Sequence, residues 1–120
     1  MSSPLGRRLS SFAHAWRGLR TLVATQANAR IHAVATVAVV AAGAVLRVDA
    51  GDWCWLAAAI AAVWAAEAFN TALEFLADEV SLEHRERIGR AKDLAAAAVL
   101  CTAIGAVVIG ALIFAPHLPR

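Results

Sequence analysis

Apolar residues fill three stretches of the chain, and polar residues mark off each one. The first stretch is Ile31–Leu46, bracketed by Arg30 and Arg47. The second is Trp53–Phe69, which holds one acid, Glu67, and the third is Leu94–Ala115, closed by Pro116. A helix needs about 20 apolar residues to cross a bilayer core, so the third stretch suffices as it stands. The first two reach that length if their helices run on into flanking polar residues, with Arg30 and Arg47 snorkelling to the interface. The pattern predicts an all-α membrane fold with spans at 28–47, 53–78 and 92–115, and a short turn at Val48–Asp52. The second helix is expected to extend beyond the bilayer. Ahead of the spans, Leu5, Leu9, Phe12, Trp16, Leu19 and Val23 recur at three- and four-residue steps. At ~100° per residue they share one arc of a helix, with Arg7 and Arg17 opposite and Arg8 and Arg20 at its flanks. This is the pattern of a helix over 5–25 that lies in the membrane surface, its tryptophan at headgroup level. A soluble amphipathic helix docked on a partner is the alternative.

Composition strengthens the membrane reading. Hydrophobic residues make up 61% of the 120 positions and charged residues 17%, against roughly 45–50% and 25% in soluble domains. A small soluble domain buries too little of its own surface to hide that much apolar area, so the surplus faces lipid or other chains. Disorder, collagen-like repeats and a disulfide scaffold are excluded. The chain is read as one domain, and residues 1–30 show no signal-peptide pattern. Cys54 and Cys101 sit within apolar stretches and read as small buried hydrophobes.

The net charge of +2 gives no support to a nucleic-acid partner, but the distribution of charge is informative. Five of the eleven basic residues precede the first span, four (Arg85, Arg87, Arg90, Lys92) lie between the second and third, and Arg47 and Arg120 stand alone. The positive-inside rule then places the N-terminus and the 70–93 segment in the cytoplasm.

Candidate chemistry concentrates between Glu67 and Asp93. Glu67, Asn70, Glu74 and Asp78 follow one another at three, four and four residues, which lines them along one helix face. An acid inside a membrane helix is costly and normally faces a bundle interior or a polar site. Set among Trp64, Ala65, Ala66 and Phe69, Glu67 suits a general base that takes a proton from an alcohol. The same spacing also fits an interhelical hydrogen bond by Glu67, with Glu74 and Asp78 merely solvated. Glu74 is placed to serve Mg²⁺, which takes one or two carboxylates together with phosphate oxygens. Lys92 is the one lysine and adjoins Asp93; by itself it reads as an interfacial anchor rather than a phosphate ligand. Glu83, His84 and Arg85 form a polar cluster. Phosphate-loop, dinucleotide and zinc-protease motifs are absent, so a nucleotide would have to be held by side chains on membrane helices.

The run Glu67-Ala-Phe-Asn70-Thr-Ala-Leu-Glu74-Phe-Leu-Ala-Asp78 resembles the E-x-x-N-[ST]-A-[IL]-E-x-x-x-D signature of the small bacterial integral-membrane lipid kinases. These are the prokaryotic diacylglycerol kinases and the related undecaprenol kinases. Gly89-Arg90-Ala91-Lys92-Asp93 is similar to the family's second signature, and Ala15-Trp16-Arg17-Gly18-Leu19 and Asn28-Ala29-Arg30-Ile31-His32 to its N-terminal motifs. The resemblance implies an ATP-dependent kinase of a membrane lipid hydroxyl, built as a homotrimer in the bacterial inner membrane with sites shared between subunits. It implies Glu67 as general base and Glu74 as ligand of the ATP-bound Mg²⁺, with Asn70 and Asp78 in the same polar stripe. Lys92, Asp93, Glu83, His84, Arg85, Arg7 and His14 are implied as ATP contacts, and Trp16, Arg20, Asn28 and Ala96 as lipid contacts.

Three positions depart from the family. Gln26 stands where a second metal-linked glutamate is usual, which removes a negative charge but keeps an amide oxygen. His84-Arg85 replaces a tyrosine–histidine pair, and His14 replaces an aromatic residue. For the acceptor, the motifs divide: Asn28–His32 is closer to the undecaprenol kinases and Gly89–Asp93 to the diacylglycerol kinases. Diacylglycerol is the expected acceptor and undecaprenol the runner-up. Two other readings are a small proton-coupled transporter, which needs a lone membrane acid but no acid stripe and no Lys92-Asp93, and a non-catalytic assembly subunit.

Overall fold

A computed structural model describes residues 3–119; Arg120, counted above among the flanking cations, lies outside them. The described residues form four α-helices, α1 (Pro4–Thr25), α2 (Ala27–Leu46), α3 (Ala50–Val80) and α4 (Glu86–Phe114), closed by a 3₁₀ turn at Ala115–His117. Three of them, α2, α3 and α4, are long and apolar enough to cross a membrane, which makes this a multi-pass membrane protein. At ~1.5 Å per residue, the 31 residues of α3 exceed a ~30 Å core by several turns.

The helix boundaries follow local chemistry. Ser3 caps α1, its hydroxyl accepting from the Gly6 amide, and Pro4 occupies the first turn, where a missing N–H costs nothing. The turn between α2 and α3 is tighter than the expected Val48–Asp52, because Asp49 caps α3 by accepting from the Asp52 amide at 2.8 Å. Arg47 adopts the left-handed conformation (φ 53°), and the Val48 amide reaches the Gly43 carbonyl at 3.1 Å. That is a Schellman closure of α2, with Val48 buried beneath it. The junction of α1 and α2 is a single extended residue, Gln26. Arg30 locks it from α2, its guanidinium donating to the Val23 and Ala24 carbonyls at 3.0 and 3.1 Å. These are carbonyls that a helix end leaves without intrahelical partners.

Helices α3 and α4 make the most extensive contact, and α2 packs on α3. The chain is a slab of 55 × 44 × 21 Å, too thin to enclose a large core. Its buried cluster of Val48, Leu56 and Ile113, ringed by Val39, Leu46, Trp53, Ile109 and Phe114, lies at the end where α2 turns into α3. Elsewhere apolar side chains such as Val37, Phe69 and Val107 point outward, as lipid-facing or chain-facing positions do. Cys54 and Cys101 are among the outward-facing residues. The expectation that they are buried is therefore corrected: in a membrane helix an apolar neighbourhood does not mean an interior one. The predicted stripe of α1, from Leu5 to Val23, is likewise open. Along another face, Ala15, Gly18 and Leu22 of α1 and Ala68, Thr71, Ala72 and Phe75 of α3 line a groove of about 470 Å³ between the two helices.

Gly43 is the closest approach in the α2–α3 turn. A Cβ there would lie 2.7 and 2.9 Å from the Trp53 ring, which the buried cluster holds in place. Gly43→Ala is expected to lower unfolding stability in micelles by about 1–3 kcal/mol, the usual cost of overpacking. Trp53→Phe in that background should recover much of the loss, and a double-mutant cycle by denaturant titration measures the coupling.

Candidate active site

The acid stripe begins where α3 is most enclosed. Glu67 is 1% exposed and Thr71, one turn on, 4%. Three polar oxygens in this stretch, Glu67 Oε2, Asn70 Oδ1 and Thr71 Oγ1, are buried without a hydrogen-bond partner among the described residues. Buried polar groups are nearly always paired, and each unpaired one costs on the order of 1–3 kcal/mol. Three within five positions of one helix mark a place built to receive further polar atoms.

The stripe then runs outward. The Asn70 amide donates to Glu74 Oε1 at 3.5 Å, a loose bond that leaves Glu74 half-buried and able to turn. One further turn on, Asp78 accepts from Lys92 Nζ at 2.8 Å, which ties the end of α3 to the start of α4. Both partners are substantially exposed, so the bond contributes little to stability. Its effect is positional: it holds the chain's one lysine beside the acid stripe. Asp93 is exposed on the neighbouring position of α4.

Two clefts open between the helices. Between α1 and α3, Trp16, Leu19, Arg20, Val23, Ala24 and Trp64 line an open cleft of about 620 Å³. Between α2 and α4, a cleft of about 240 Å³ includes Asn28, His32 and Ala96. The residues expected to contact lipid thus line two mostly apolar grooves. The remaining expected contacts are more dispersed. His14 pairs with Arg17 on the exposed face of α1, Arg7 lies on the first turns of the same helix, and Glu83, His84 and Arg85 form the exposed link from α3 to α4. Among the described residues no hydrogen bond or ion pair joins the side chains of His14, Glu83, His84 or Arg85 to the stripe. Gln26 sits at the α1–α2 junction, its amide nitrogen donating to Thr25 Oγ1.

Two residues join the site that the sequence reading had not assigned. His32 brings Nε2 to 3.6 Å from Glu67 Oε2. Thr36, one turn further along α2, accepts a hydrogen bond from the Trp64 indole at 2.9 Å. The signal was present as two polar residues four apart within an otherwise apolar span, a spacing that puts both on one helix face.

No group of three or more His, Cys, Asp or Glu side chains that could hold a metal ion is gathered among the described residues. The groups available are oxygens: the Glu74 carboxylate beside the unpartnered Asn70 Oδ1. That set fits Mg²⁺, which usually arrives with phosphate and keeps its waters.

Several known proteins resemble the chain over most of its length. The chain is 41% identical over 111 residues to a diacylglycerol kinase of Synechocystis, covering 92% of this chain and 63% of that longer protein. It is 35% identical over 114 residues to the undecaprenol kinase of Bacillus subtilis, covering 95% and 93%. To the diacylglycerol kinase of Escherichia coli it is 32% identical over 111 residues, covering 92% and 91%. Residues 13–114, from the middle of α1 to the end of α4 and so including the whole acid stripe, match the family profile of prokaryotic diacylglycerol kinase, and the chain belongs to that family.

Proposed function

We propose that this protein is an ATP-dependent lipid kinase that phosphorylates the hydroxyl of diacylglycerol to give phosphatidic acid. The observation that carries the reading is Glu67, fully enclosed yet with an unpartnered carboxylate oxygen, at the head of a stripe that leads to Glu74 and Lys92. Within the family to which the chain belongs, that layout supports a base at lipid depth and a nucleotide site further out. A transporter would need the first of these and not the second.

The residues divide the work by depth. Glu67 takes the proton from the lipid hydroxyl as its oxygen attacks the γ-phosphorus, and ADP leaves with the electron pair of the broken bond. Bound with the nucleotide, Mg²⁺ would be held by Glu74, with Asn70 or Gln26 as neutral oxygen partners, and would offset charge on the β- and γ-phosphates. Lys92 supplies a cation for phosphate once it turns from Asp78, and Asp93, Glu83, His84, Arg85, Arg7 and His14 are the further nucleotide contacts. Trp16, Arg20, Asn28 and Ala96 hold the lipid in the two clefts. Phosphoryl transfer depends mainly on positioning and electrostatics, so a sparse site is sufficient.

The active form is proposed to be a homotrimer, which would bring the exposed link from α3 to α4 of one chain near the stripe of the next. The open apolar faces of α2, α3 and α4 support such an assembly. The clusters of basic residues before α2 and between α3 and α4 support a cytoplasmic location for the N-terminus and the site. Undecaprenol is the second reading for the acceptor, favoured by the Asn28–His32 motif and by the Bacillus subtilis relative.

Purified protein in micelles, given labelled ATP, Mg²⁺ and diacylglycerol, undecaprenol or ceramide in turn, is expected to label diacylglycerol most. Preference for undecaprenol would reassign the acceptor, and label in none of the three would remove the kinase reading. Glu67→Gln should reduce turnover by roughly 100-fold or more, the scale of general-base catalysis, with MgATP KM little changed; near-normal turnover would take Glu67 out of the base role. Glu74→Gln should raise the Mg²⁺ concentration for half-maximal activity by about tenfold, the value of one charge-assisted contact, as read from a Mg²⁺ titration.

A further inference from the structure

The contact between His32 and Glu67 crosses from α2 to α3, and both side chains are withdrawn, at 19% and 2% exposure. The oxygen that faces the imidazole is Glu67 Oε2, the one that lacks a hydrogen-bond partner. A second contact fixes where His32 stands. Thr36 Oγ1 donates to the His32 carbonyl at 2.7 Å and accepts from Trp64 Nε1 at 2.9 Å. Thr36 is one turn from His32, and Trp64 is about one turn from Glu67. The two helices are therefore joined by two rungs at matching heights, Trp64 to Thr36 and Glu67 to His32. A hydroxyl that both donates and accepts leaves little freedom for sliding.

We infer that His32 is a positioning residue for Glu67, set opposite it by the Trp64–Thr36 bridge. The inference rests on the lipid-kinase reading above. With its proton on Nε2, the imidazole donates to Glu67 Oε2 and turns the other oxygen toward the lipid hydroxyl. The present separation of 3.6 Å closes to hydrogen-bond length by a small side-chain rotation, and such bonds are often long before substrate binds. In the transfer step the hydroxyl proton moves to Glu67, the lipid oxygen bonds to the γ-phosphorus, and the bond from that phosphorus to the β–γ bridging oxygen breaks. The electron pair leaves on ADP, and His32 undergoes no net change. Its contribution is orientation, for which misplacement by about 1 Å can cost 100-fold. Donating from Nε2, the imidazole does this without adding a second acid beside the base.

The test is steady-state kinetics in mixed micelles, with lipid and MgATP varied separately. His32→Leu should lower kcat about tenfold or more while the lipid KM stays within about twofold, as loss of orientation rather than binding requires. His32→Gln, whose amide can still donate, should recover at least about a third of wild-type kcat. Trp64→Phe keeps the ring but removes the bridge, and should lower kcat about threefold at unchanged lipid KM. Wild-type kcat in His32→Leu, a loss confined to lipid KM, or equal impairment of the Leu and Gln variants at native helix content would overturn the role of His32 and leave the kinase reading intact. If a His32 variant loses its helical circular dichroism, Trp64→Phe decides in its place, and wild-type kcat there overturns the inference. No lipid-dependent transfer by the wild-type protein would bring down the kinase reading and this inference with it.

Discussion

A carboxylate placed among apolar helices is the constraint around which this molecule is arranged. In hydrocarbon an acid is costly wherever it stands, and it persists only where other polar groups or a task accompany it. Glu67 is enclosed almost completely, and the features nearest to it all limit that cost or make use of it. His32 faces it, Asn70 and Thr71 extend the polar surface by one turn, and the apolar core of the chain is displaced to the opposite end of the bundle. The separation has a purpose. Packing that makes the fold rigid is kept where α2 turns into α3, and polar groups that would weaken packing are kept further along α3.

Much of this was legible in the residues. Three apolar stretches predicted three long apolar helices, and steps of three and four residues predicted that Glu67, Asn70 and Glu74 share a face; the Asn70–Glu74 bond shows that for two of them. What could not be read depends on how one helix sits against another. His32 and Thr36 acquire their significance only when the tight turn at Arg47–Asp49 folds α2 back along α3 and sets their height against Trp64 and Glu67. Cys54 and Cys101 show a different limit. A helix that is apolar all round has little periodicity, so sequence does not separate its inner face from its outer one. For α1 the aromatic stripe was visible, but the small-residue face that meets α3 was not, because alanine and glycine serve close approach without an apolar signal of their own.

The chemistry available to the chain is limited by what three thin helices can hold. Glu67, the oxygens of Asn70 and Glu74, and Lys92 follow one another along one line, joined by the Asn70–Glu74 and Lys92–Asp78 contacts. A linear site suits two substrates of opposite character, one approaching through acyl chains and one from water, which meet at a boundary. The clefts beside Trp16 and Asn28 are mostly apolar, whereas the stripe is not.

The lock between α1 and α2 has a mechanical meaning. Arg30 ties the last carbonyls of α1 to the first turn of a membrane-crossing helix, with only Gln26 between them. A floating amphipathic segment finds its own level in the headgroup layer; this one is bolted to a beam, so its level is shared with everything else on that beam. Because His32 stands just two residues past Arg30, a displacement of α1 is carried along the beam to the carboxylate opposite. Were α1 to rest in the headgroup layer, the chemistry proposed for Glu67 would be measured from the surface of the bilayer, and a thicker or thinner membrane would displace the spans at their far ends first.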